Sequence, residues 1–90
     1  MKEFSRRLRE IRNEKQITQK QVASDLEMSI TGYAGYEQGY REPDLTTLAR
    51  ICIYFNVSAD YLIGLENEDG SRNTINGSFN NNSGTINFKA

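Results

Sequence analysis

The chain contains no histidine and a single cysteine. Zinc sites built on those ligands are therefore missing, and so are Ser-His and Cys-His nucleophile pairs. Cys52 lies in an apolar run with no partner cysteine, which fits a reducing cytoplasm and a buried thiol. No apolar run approaches the roughly 18 residues of a membrane span. Residues Met1 to Arg6 lack the apolar centre of a signal peptide. No Gly-rich phosphate loop follows a strand, and no strand–helix alternation is visible. Paired carboxylates are not excluded by counting, but no catalytic constellation stands out. The chain is expected not to be an enzyme, to carry no cofactor or metal, to avoid membranes and to act in the cytoplasm.

Ninety residues suffice for one small core and not for two. The net charge of −1 conceals a strong asymmetry. Residues 1–20 hold seven cations against three anions, whereas residues 21–66 hold two against seven. Such a division can turn one face toward an anion while the whole stays near neutral. A solvated first helix of mixed charge explains the same count.

Phe4, Leu8 and Ile11 recur at helical spacing and predict an amphipathic helix over about residues 2–15. Thr18-Gln19-Lys20-Gln21 reads as a capping box: the Thr18 hydroxyl accepts from the Gln21 N–H, and the Gln21 side chain reaches back. It opens a second helix, about Gln19–Leu26, with Val22, Ala23 and Leu26 as its apolar face. Ser29 caps a third helix, Ile30–Gln38, which Gly39 ends. The proline of Arg41-Glu42-Pro43-Asp44 keeps Glu42 extended, and Asp44 caps a fourth helix. There Leu45, Leu48, Ala49, Cys52 and Phe55 form one stripe that Ile51 widens. Ser58 caps a fifth, stopped by Gly64. The fold class is all-α: a compact five-helix, repressor-like helix-turn-helix domain at 1–65, with a linker at 66–73 and an Asn-rich tail at 74–90.

The run "ITQKQVASDL … GYAGYEQGYREPDLTTLARICIYFNVSADYLIG" resembles the helix-turn-helix domain of the Cro and phage-repressor (XRE-like) type. The likeness covers about Phe4 to Gly64. It implies five helices and DNA-binding transcriptional control, as a dimer on a symmetric operator of double-stranded DNA. Carried over residue by residue, Ser29, Ile30, Thr31 and Gly35 fall at groove-facing positions. Gln19 and Lys20 fall at phosphate positions, as do Gln38, Tyr40 and Arg41. Arg12 and Glu37 match a structural pair that ties the first helix to the third.

Gly32 and Gly35 each cost about 1 kcal/mol relative to Ala inside a helix. Tyr33 and Tyr36, three apart, are expected to pack against Leu8, Leu26 and Leu48. Gly35 then falls on the opposite side, where a missing side chain lets the backbone approach the groove floor. Gly32 permits close approach to the second helix or to a phosphate. A helix frayed in isolation and ordered on DNA is the alternative. The groove-facing set lacks the Gln, Asn or Arg that bonds base edges bidentately, so direct readout should be poor in hydrogen bonds.

In the tail, Thr74-Ile75-Asn76 recurs as Thr85-Ile86-Asn87, and both segments alternate apolar and polar residues. A short β-hairpin and a disordered polar tail both fit. In a hairpin, Ile75, Phe79, Ile86 and Phe88 would drive oligomer formation or cover Ile53 and Tyr54. Two functions follow: a bacterial or prophage repressor, or a protein-interaction module or antitoxin whose tail holds a protein partner.

Overall fold

A computed structural model describes residues 2–72. The chain folds as α1 (Lys2–Glu14), α2 (Gln19–Asp25), α3 (Ile30–Gln38), α4 (Leu45–Phe55) and α5 (Ala59–Leu62). The all-α expectation holds over these residues. Ile75, Phe79, Ile86 and Phe88 lie outside them, as does any tail hairpin. No helix among the described residues is long and apolar enough to cross a membrane.

Each helix after the first starts where a short polar side chain accepts a backbone N–H. Thr18 takes Gln21, Ser29 takes Gly32, Asp44 takes Thr47 and Ser58 takes Tyr61. Each bond satisfies one of the donors that a helix start leaves open. The expected box at Thr18 is only half formed. The Gln21 amide turns instead to Asp25, one turn on, at 2.8 Å. Donating to the i+4 carboxylate turns the exposed amide away from the Thr18 N–H, which would have donated to its Oε1.

The core joins Phe4, Leu8 and Ile11 of α1 to Val22, Ala23, Leu26, Tyr33, Tyr36, Ile51, Phe55 and Leu62. Leu48 and Cys52 pack against it half-buried. Burial pushes the Cys52 thiol pKa up, which favours the neutral form. Both tyrosines face inward as expected, Tyr36 lying edge-on to Phe4 and to Tyr33. The stripe expected on α4 needs correction. Leu45 is 83% exposed, and Ala49 is exposed as well. Ile51 and Phe55 carry the buried face, four apart, while Leu45, Ala49 and Ile53 line the outer one.

Arg7 is buried although sequence patterning reads it as solvated. Its guanidinium donates to the carbonyls of Tyr61 and Glu66 and stacks 4.5 Å from the Tyr61 ring centroid. It thus ties α1 to the end of α5. Residues 66–72 close a turn against the helices, with Glu66 and Arg72 bridged antiparallel and Arg72 paired to Asp60 at 2.7 Å.

Candidate nucleic-acid interface

Helices α2 and α3 are joined by a turn in which Glu27 takes a positive φ of 59° and Met28 N–H returns to the Ala23 carbonyl at 2.9 Å. The turn is tight enough to fix the pair as one unit. What locks it is a carboxylate. Glu37 is 2% exposed, and it accepts Arg12 Nε at 2.6 Å, Arg12 Nη2 at 3.1 Å, Tyr33 Oη at 2.6 Å and Gln19 Nε2 at 3.0 Å. Burial works to raise its pKa, but the donors from Arg12, Tyr33 and Gln19 outweigh burial and hold it below the ordinary value. Tyr33 moves the opposite way, burial and the adjacent carboxylate raising its phenol. A single side chain therefore joins α1, the first turn of α2 and the inner face of α3.

The structure gathers Gln19, Ile30, Thr31, Gly35, Gln38, Tyr40 and Arg41 along one shallow groove, together with Ala34. Ser29 and Lys20 do not line it. The Ser29 hydroxyl is used to cap Gly32 N–H, and Lys20 stands exposed in the first turn of α2. Gln19 borders the groove while giving an amide hydrogen to Glu37. Tyr40 is 81% exposed and Ile30 47%.

Gly35 departs from the expectation of a bare surface. Gly39, at φ 87°, reverses the chain after α3, and the Gly35 carbonyl collects the N–H groups of Gly39, Tyr40 and Arg41. The reversal lays the Arg41 side chain back across the helix. A Cβ on Gly35 would stand 3.0 Å from Arg41 Cδ and 3.1 Å from Cγ. One on Gly32 would meet Ser29 Oγ at 3.0 Å, Met28 Cε at 3.3 Å and Arg41 Nη1 at 3.4 Å. The two glycines form a seat for Arg41, whose guanidinium carbon also lies 5.8 Å from the Tyr36 ring centroid. The side of Gly35 expected to be bare carries the Arg41 stem, and the atoms nearest the open side of Gly32 belong to Ser29, Met28 and Arg41. A second cleft, lined by Lys2, Ser5, Arg6 and Arg9 of α1, meets the first at Gln38. Its signal in the sequence is the four-then-three spacing of those cations.

The α2–turn–α3 unit, braced by Glu37 and presenting the outer side of α3, defines a helix-turn-helix domain. The chain matches the helix-turn-helix family over residues 8–62 and belongs to it, within its Cro/C1 (XRE) type. It is similar to three proteins of Bacillus subtilis (strain 168). The HTH-type transcriptional regulator ImmR is 39% identical over 61 residues, which are 68% of this chain and 48% of that protein. The uncharacterized HTH-type transcriptional regulator YqaE is 39% identical over 66 residues, 73% of this chain and 57% of that protein. The HTH-type transcriptional regulator AnsR is 39% identical over 62 residues, 69% of this chain and 53% of that protein. The chain thus spans about half the length of these relatives.

Proposed function

We propose that this chain is a sequence-specific DNA-binding transcriptional regulator that places α3 in the major groove. The observation that carries the reading is the division of α3 into two sides. Tyr33, Tyr36 and Glu37 are buried and braced, while Ile30, Thr31 and Gln38 face a continuous groove bordered by Gln19 and Tyr40. A helix held in this way can enter a groove without rearranging, and its small outer residues (Thr31, Ala34) let the backbone come close. Ile30 and the Thr31 methyl suit thymine methyl groups, and the Thr31 hydroxyl offers one hydrogen bond. Lys20, Gln38 and Tyr40 are assigned to phosphates on either side, with Gln19 at the open N-terminal end of α2. Membership of a family whose relatives are named transcriptional regulators supports the assignment.

The functional unit is a homodimer on a two-fold symmetric operator, and promoter occupancy represses transcription by blocking polymerase. The exposed apolar line Leu45, Ala49 and Ile53 on α4 supports association, because a lone protomer leaves it in water. The experiment is titration of random-sequence duplex DNA at rising salt. Counterion release predicts a loss on the order of 10³ in affinity between roughly 50 and 200 mM salt for six or more phosphate contacts. Lys20→Ala and Tyr40→Phe should each weaken all sequences alike. A second reading, a protein-interaction module or antitoxin that uses its tail, draws on the same exposed line and on the acidic balance of residues 21–66. Salt-independent or undetectable DNA binding would favour it.

A further inference from the structure

We infer that Arg41, although it belongs to the loop after α3, is the residue that reads a guanine base. The inference rests on the DNA-binding reading above and gives its specificity a source. Helix α3 is short of hydrogen-bonding groups where it would meet bases. Ile30 and Ala34 are apolar, Gly35 has no side chain, and Thr31 has one hydroxyl. The remaining amide, Gln38, sits in the last turn. In a helix-turn-helix complex the N-terminal part of the recognition helix makes the base contacts. That is where the Arg41 guanidinium goes. Its stem crosses Gly35 and its Nη1 arrives beside Gly32, in the first turn. A residue placed after the C-terminus of α3 thus delivers its charge near the opposite end.

The seat is specific to this geometry. Any β-carbon at Gly35 would press on Cδ at 3.0 Å, and one at Gly32 would crowd Nη1 at 3.4 Å. Tyr36 stands beneath the guanidinium, 5.8 Å from ring centroid to Cζ. The planar fork is therefore partly ordered before binding, which lowers the entropy lost when it bonds a base. Two parallel N–H donors match O6 and N7 of guanine, the commonest specific side-chain contact in the major groove. A phosphate contact would use the same fork but carries no sequence information, so a preference lost at one position alone marks a base contact.

The test is selection of binding sites from random duplex DNA with wild-type protein, Arg41→Ala, Arg41→Lys and Gly35→Ala, each first checked for native helicity. The wild type should select a guanine at one position of each half-site. Arg41→Ala and Arg41→Lys should both lose that preference, by roughly 5- to 150-fold, with the other positions unchanged. Gly35→Ala keeps the guanidinium but displaces its stem, and should lose the same position. Adding it to Arg41→Ala should remove no further preference. If Arg41→Ala weakens every sequence equally, whether or not Arg41→Lys restores affinity, Arg41 is a phosphate contact and the inference is overturned. If the wild type enriches no site at all, the DNA-binding reading fails first.

Discussion

Replacing Arg12 by Met keeps most of the aliphatic stem and removes the cation facing Glu37. The carboxylate would keep Tyr33 and Gln19 as donors and lose the two bonds from Arg12. The Ile17 carbonyl would also lose its bond from Arg12 Nη1, at 2.8 Å. Removing one member of a buried pair costs about 3–5 kcal/mol, because the remaining charge stays desolvated. The Arg12 side chain is 14% exposed and two donors survive, so the lower end, about 3 kcal/mol, applies here. In a domain stable by about 5–15 kcal/mol that is a large fraction. Urea denaturation at neutral and acid pH is the assay. In the wild type the Glu37 pKa is held below its unfolded value, so its stabilising contribution is present above the unfolded pKa and fades as pH falls through the folded one. In Arg12→Met burial is less opposed and the pKa rises, so the charged form is penalised at neutral pH and the penalty disappears in acid. The gap between the two proteins should therefore narrow as pH drops through the carboxylate range. A neutral-pH gap below about 1 kcal/mol, the value of an ordinary exposed pair, would refute the reasoning, as would a gap unchanged in acid.

Three further outcomes follow from the same geometry. Gly35→Ala should change stability by no more than about 1 kcal/mol, since the gain in helix propensity is set against displacing Arg41 from its seat; thermal unfolding reads it, and a larger loss would mean that Arg41 is rigidly held. Thr18→Ala should cost about 1 kcal/mol through the lost cap, while Gln21→Ala changes stability by no more than about 0.5 kcal/mol, because the Gln21 side chain serves only an exposed bond to Asp25. Ile53→Glu, on the outer side of α4, should lower the mass found by light scattering without altering helicity; an unchanged mass would remove that face from the proposed dimer.

The helix starts were legible because each depends on a short polar residue at one position, and Thr18, Ser29, Asp44 and Ser58 all serve as expected. The inward tyrosines followed from their spacing. Leu45 misled because apolar spacing on α4 allows two overlapping stripes, and only the burial of Ile51 and Phe55 in the core selects between them. Arg7 was illegible for a different reason: its burial depends on carbonyls of Tyr61 and Glu66, more than fifty residues away. The glycines of α3 were recognised as unusual, but their occupant was not. Arg41 reaches them only because Gly39 reverses the chain, and the path of a side chain after such a reversal has no sequence period to betray it.

Methylation interference at guanine N7 on a selected duplex tests most directly whether α3 enters the major groove. N7 lies on that groove's edge, whereas adenine N3 lies in the minor groove. Methyl groups at N7 within both half-sites should abolish binding while N3 methylation between them is tolerated. Binding that ignores N7 methylation and is lost on N3 methylation would contradict the account.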